Sequence, residues 1–390
     1  MAFNTTLNSL ETLGSSVTTM NDSQENSTDD QYSNDNNVPG SGGFITQITA
    51  DVIRSAINCY LLPPIVLLGM VGNIMSLIIL GGKKMRQYST NIVLAYLAFI
   101  DTLLLLIAFM RKMPCLVGKA DPLTAQTIDY IMLTAPLILE LITSRTSSLL
   151  SLVICCERFI AVFKPLKVKL WVTPKRMIFS VVSVTVIVIG LLAVDFGLAT
   201  VSLYYDNTKN RTMARITYQP IYLKNQKFFD FYNSVFLAIT LRVLPMILIT
   251  ILTIAIITQI RRRKKWLKDV MHATSNPNTE NDMQAMTKML MTIVSIYIVC
   301  LLPGSIFITL TLIDKRFSLR GQFQNEFRVV SSISAFLEVF NSSANFVVYI
   351  GMNKKFSNIL VQMICGFRKI NRRHNQGVIE SNVTISSTLG

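Results

Sequence analysis

Five ionisable side chains stand inside long apolar runs of this sequence: Asp101, Glu140, Arg145, Arg242 and Glu338. A charge in such surroundings is costly and turns toward a partner or a polar interior. The chemistry on offer is therefore ion pairing and the capture of a charged ligand. Bond-breaking chemistry finds no support. The chain has only two histidines, His272 and His374, both in segments read as loops, and it shows neither metal-ligand spacing nor a nucleophile elbow. Helical spacing gives the charges a direction. Glu140 and Arg158 are 18 residues apart, five full turns, so they share one face at roughly 27 Å separation. Glu338, Asn341, Asn345 and Tyr349 follow i, i+3, i+7, i+11 spacing, a single polar stripe.

The elements that must position these residues are apolar helices. The chain is 390 residues long, 51% hydrophobic and 15% charged, with a formal net charge of +15. Spans are expected at 57–81, 89–110, 127–156, 177–200, 230–260, 287–312 and 327–350, each near the ~20 apolar residues that cross a bilayer. Helices are the reading because lipid satisfies no exposed backbone, and the alternation of a membrane barrel is absent. Charge sets the orientation. Residues 1–56 hold seven acids and one base, Arg54, whereas Lys83, Lys84 and Arg86 follow the first run at once. Lys164, Lys167, Lys169, Lys175, Arg176, the run RRRKKW at 261–266 and the basic residues from Lys354 to Arg373 fall on the same side. The positive-inside rule places the N-terminus outside and the C-terminus in the cytosol. Directly abutting a span, RRRKK reads as a membrane-edge anchor rather than a nucleic-acid patch. No secretory signal peptide is visible, so the first span is expected to direct insertion. The segment 1–56 reads as disordered and extracellular, and sequons at Asn4, Asn21, Asn26 and Asn210 fall on the expected outside.

The stretch CCERFIAVFKPLK, Cys155 to Lys167, ends the third run on a charged pair. An anchor at a helix end is one reading of Glu157-Arg158. The surrounding residues offer another: E-R-F-x-A-x-x-x-P-L resembles the D/E-R-Y-x-A-x-x-x-P-L sequence of rhodopsin-like (class A) G-protein-coupled receptors. Gly72-Asn73, Leu97-Ala98-Phe99-Ile100-Asp101, Pro245, Cys300-Leu301-Leu302-Pro303 and Asn345-Phe346-Val347-Val348-Tyr349 continue the resemblance in order over nearly all of 57–366. It implies an all-α membrane protein: a seven-transmembrane helix bundle at 57–350, a short cytosolic amphipathic helix at 351–366 carrying a palmitoylation candidate, Cys365, and a cytosolic tail at 367–390.

The resemblance also assigns roles. Glu157, Arg158, Asn345 and Tyr349 would form the switch for a heterotrimeric G protein. With Met283 where many relatives carry an acid, and Thr253 replacing a tyrosine, a loose resting lock is expected. Asp101, Ser147 and Asn341 match residues that hold an allosteric Na+ in many relatives, a hydrogen-bonded water network being the competing reading; no other cofactor is implied. Glu140 and Glu338 are expected to meet across the third and seventh helices, and Arg145 to approach Arg242 between the third and fifth. Either these four neutralise one another, or they form a ligand cavity in which the acids take a cation and the arginines an acidic or carbonyl group. The usual bridge from the third helix to the next outer loop cannot form, since 116–154 and 157–299 contain no cysteine. Cys59 and Cys115 are a candidate substitute, two free thiols being the alternative.

A receptor activated by an extracellular peptide is the leading expectation, the whole chain being similar to invertebrate neuropeptide and chemosensory receptors. A small-molecule chemosensory receptor and a ligand-independent or decoy receptor are the alternatives. An opsin is excluded because no lysine lies between Arg328 and Lys354. A transporter built of repeats is disfavoured, as neither a repeat nor paired helix interruptions are visible.

Overall fold

The computed structural model describes residues 43–83, 85, 89–118, 121–207, 210–270, 277–314, 316–318, 321–363 and 365, excluding the side chains of 116, 122, 169, 264–270 and 277–286. Asn4, Asn21, Asn26, both histidines and the side chain of Met283 lie outside that description, as does the tail at 367–390.

Seven helices are long and apolar enough to cross a membrane: Gln47–Gly81, Ser89–Cys115, Ala135–Phe163, Pro174–Gly197, Gln226–Arg263, Thr287–Ile313 and Gln324–Met352. The first packs on the second and seventh, the second on the third and fourth, the third on the fifth, and the sixth on the seventh. The third is the most enclosed and the fourth the least, so side chains of the third decide what the interior contains. Between spans in lipid there is little hydrophobic drive, and close approach must come from small residues. Gly72 shows this: a Cβ there would sit 2.8 Å from Phe346. The approach lets Asn73 donate to the Ser342 carbonyl at 2.9 Å.

Two boundaries differ from the sequence reading. The first helix begins at Gln47, not 57, because Thr46 caps it by accepting from the Thr49 N–H. The chain ahead of it is pinned as well. The Ile45 N–H donates to Glu326 Oε1 at 2.9 Å, and Asn325 donates back to the Ile45 carbonyl at 2.9 Å. Residues 43–56 therefore belong to the bundle rather than to a disordered segment. The expected third span at 127–156 is two elements, a loop helix Pro122–Met132 and the span Ala135–Phe163. Pro136 explains the break: it has no N–H to give and biases the residue before it away from helix.

The all-helical expectation also misses a hairpin. β1 (Ala199–Asp206) pairs antiparallel with β2 (Arg211–Tyr218), Ala199 opposite Tyr218 and Asp206 opposite Arg211. Asn210 turns the tip with φ 50, a conformation asparagine tolerates, and it is exposed. Arg211 reaches the loop-helix cap Asp121 at 2.5 Å. Hydrogen bonds from Thr124 and Arg211 hold the Asp121 carboxyl down at about 2. Beneath the hairpin, Tyr130, Leu133, Ile216, Tyr218, Tyr222 and Phe229 form an apolar cluster. Cys59 and Cys115 are joined as a disulfide between the first and second spans, with Cα atoms 5.7 Å apart.

At the opposite end, residues 354–363 are helical and start on a cap in which Asn353 Oδ1 accepts from the Phe356 N–H at 3.0 Å. Phe356 and Leu360 are buried in the core cluster of that end with Leu94, Ile154 and Tyr349. Cys365 follows and is exposed.

Candidate functional site

Two polar centres occupy the bundle, one at each end. Away from the hairpin, Glu157 and Arg158 are both buried. Arg158 Nη2 lies 3.1 Å from Glu157 Oε1. Thr90, at the start of the second span, donates to that carboxylate and accepts from Arg158. The guanidinium is thus held by its sequence neighbour and by one hydroxyl from another helix. Thr90 escaped the sequence reading because a threonine at a helix start looks like any cap.

Midway along, Asp101 accepts from Ser147 at 2.7 Å and from Asn345 at 2.9 Å. Asn345, assigned to the switch, therefore belongs to the aspartate's own network. Asn341 instead lines a small adjoining cavity with Ser144, Ser147 and Glu338. The donor set suits a hard monovalent cation, since the Ser147 hydroxyl can rotate to offer a lone pair and Asn341 carries a carbonyl oxygen. The Asn345 amide would have to yield one carboxylate oxygen. Tyr349, the last residue of the polar stripe, is fully enclosed in the core cluster with Phe356 and Leu360, and its hydroxyl has no hydrogen-bond partner.

Toward the hairpin end the four expected charges do not form one group. Glu140 is ion-paired with Arg111 of the second span; it neither meets Glu338 nor lines the cavity described below. Helical facing turned Glu140 toward the interior, where its side chain is 20% exposed, but Arg111, which the sequence reading did not single out, pairs with it. Glu338 pairs with Arg242, Oε1 to Nη1 at 2.6 Å, and accepts from Ser144 at 3.1 Å. Arg145 lies close to both Arg242 and Glu338, yet its Nη1 is buried without a hydrogen-bond partner.

Local structure explains the crowding. After an α-helical start at Gln226–Phe231, the fifth span continues through two π-helical segments, Tyr232–Leu237 and Ile239–Val243, ahead of Pro245, whose missing N–H frees a carbonyl one turn back. Such wide turns redirect side chains and recur at functional positions; Arg242 is one of them. On the facing sixth span, Gly304 follows Pro303, and any Cβ there would collide with Arg242 Nη2. Glycine leaves the room that the guanidinium fills.

Arg145 and Arg242 line a cavity of about 120 Å³ whose wall includes Leu237, Phe307, Phe327, Asp195, Asn233 and Ser234. Asp195, Asn233 and Ser234 were all missed. Asp195 falls inside the expected fourth span, and the rule that singled out the other five charges applies to it equally. Asn233 and Ser234 carried no sequence signal, being ordinary polar residues near a helix start.

The sequence model of the family described as "Serpentine type 7TM GPCR chemoreceptor Srw" matches residues 61–367. A Caenorhabditis elegans protein described as a probable G-protein coupled receptor is 26% identical over 352 residues, 87% of this chain and 78% of its own length. The Caenorhabditis elegans "FMRFamide peptide receptor frpr-18" is 33% identical over 113 residues, 29% of this chain and 26% of that protein. The family match takes in well over half of the chain and all but the outermost turns of seven spanning helices: the protein belongs to the Srw family of serpentine seven-transmembrane G-protein-coupled receptors.

Proposed function

We propose that this receptor stands in the plasma membrane with its N-terminus outside, takes a peptide ligand into the hairpin-end cavity and signals through a heterotrimeric G protein at the other end. One observation carries the ligand reading: Arg145, buried on the most enclosed helix, lines a cavity and has a buried Nη1 without a hydrogen-bond partner. An orphaned buried donor is expensive, and a ligand acceptor that completes it recovers that cost. The partial match to a receptor whose name specifies an FMRFamide peptide favours a peptide. The family's chemoreceptor description and the modest cavity favour the second reading, a small molecule. The basic residues flanking the Arg158 end support placing it in the cytosol.

The test is a G-protein dissociation assay in cells expressing the full chain, run with short amidated peptides including FMRFamide and with a panel of small odorant-like amines and acids. A saturable response to a peptide, lost in Arg145→Met at equal surface level, supports the reading. A response only to small molecules transfers the site to the second reading. Silence to every compound, with basal signalling equal to that of Arg158→Ala, rejects ligand activation.

A further inference from the structure

The cavity has unmet hydrogen-bonding capacity at two separate places, and the two have opposite character. At one, Arg145 Nη1 and Arg242 Nε are buried donors without partners. Glu338 neutralises one of the two guanidiniums, through its pair with Arg242, and so leaves one net positive charge there. At the other, Asp195 Oδ1, Asn233 Oδ1 and Ser234 Oγ are buried and unpartnered, while the Asn233 amide N–H stands within reach to donate to the Asp195 carboxylate. Asp195 is only 3% exposed and stands beside Asn233. Among the described residues the arginines make no ion pair with Asp195. Apolar surface from Leu237, Phe307 and Phe327 completes the wall. A protein seldom leaves so many buried polar atoms unsatisfied in one place unless something else completes them.

Resting on the receptor reading above, we propose that the cavity is a two-pole site for a dipolar ligand. Arg145 receives an oxygen acceptor, a carboxylate or a carboxamide, and Asp195 with Asn233 receives a basic group of the same molecule. An apolar stretch of the ligand lies between the poles against Phe307 and Phe327. The acids that take the ligand's cation are thus not Glu140 and Glu338, which have intramolecular partners. An aqueous cavity of no particular polarity would leave the same atoms orphaned, so the test reads polarity directly and needs neither a known ligand nor a G protein.

Leu141→Cys, one helical turn from Arg145, and Ser234→Cys, next to Asn233, are made separately in the full chain. Each is expressed in intact cells and treated with methanethiosulfonate reagents bearing a sulfonate, a carboxamide or a trimethylammonium group, with the unmutated chain giving the background. Surface labelling selects folded receptors. A unit charge sensed over ~12 Å at an effective dielectric of ~20 changes a rate about tenfold. The expected result is a sulfonate-over-trimethylammonium preference of about a hundredfold at Leu141→Cys, about tenfold for each reagent in opposite directions, and the reverse at Ser234→Cys. Adding Arg145→Met should abolish the first preference only, and adding Asp195→Asn the second only. Sulfonate clearly faster than carboxamide at Leu141→Cys supports a positive pole that favours an anionic acceptor, whereas sulfonate no faster than carboxamide there removes that pole. The same preference at both positions, no preference, or no reaction at either would overturn the proposal. Failure of every compound in the signalling assay leaves these rates unaffected, so the two readings fail separately.

Discussion

Glu338→Gln removes the carboxylate that lies 2.6 Å from Arg242 and leaves the neighbouring guanidiniums of Arg145 and Arg242 without it. Arg242 is only 7% exposed and Glu338 19%. Breaking a buried pair by deleting one partner costs about 3–5 kcal/mol, and the partial opening of Glu338 to the cavity places this case at the lower end, about 3 kcal/mol. At roughly 1.2 °C per kcal/mol for 390 residues with an unfolding entropy of ~2.1 cal/mol/K per residue, the mutant should melt about 4 °C below the parent. Fluorescence-detected size exclusion of detergent-solubilised receptor after heating measures this. Replacing both partners with apolar residues, Arg242→Met with Glu338→Leu, removes the orphaned charge along with the pair and should recover most of the loss. An unchanged melting point in the single mutant, or a double mutant no better than the single, would refute the ion-pair account of how the third, fifth and seventh spans are held together.

Arg158→Ala should abolish G-protein activation with surface expression and ligand binding largely intact, whereas Thr90→Val should raise basal signalling several-fold by removing the hydroxyl that bridges Glu157 and Arg158; a dissociation biosensor reads both. Cys59→Ser, which opens a bridge spanning 56 residues, should cost roughly 4 kcal/mol on the chain-entropy account, seen as a lower melting point and new surface thiol labelling at Cys115. Asp121 has a depressed folded-state value of about 2, so its contribution is present above the ordinary aspartate range and is lost only as pH falls through about 2. Proteolysis of the hairpin should therefore be unchanged between pH 7 and pH 5, and Arg211→Ala should speed it at both. Enzymatic deglycosylation should shift the mobility of the surface protein, and less so after Asn210→Gln with Asn4, Asn21 and Asn26 replaced.

Long apolar runs announced the seven helices because lipid leaves the backbone no other choice. The hairpin was not announced: its strands carry Tyr204, Tyr205, Arg211 and Arg215, a mixed pattern whose meaning comes from the loop helix it packs on. Glu157-Arg158 was legible because the partner is adjacent in sequence. Glu140 was misassigned because helical periodicity gives a direction along one helix and cannot choose between competing partners on others. Arg111 and Glu338 are both basic-or-acidic neighbours of the same interior, and only the packed geometry decides that Arg111 takes Glu140 while Arg242 takes Glu338.

The two wide turns of the fifth helix have an evolutionary consequence. A π segment holds one residue more than an α-helical turn needs, and each residue in an α-helix accounts for about 100° of rotation. Deleting a single residue within Tyr232–Leu237 would let that one turn relax to regular α geometry while the helix on either side of it keeps nearly the same facing. Only side chains inside the turn change direction, so Asn233 and Ser234 would be displaced from their places in the cavity wall with Arg242 and the rest of the helix unmoved. A lineage of such receptors can therefore alter one face of this cavity in a single codon deletion, a step that would take several substitutions in a regular helix.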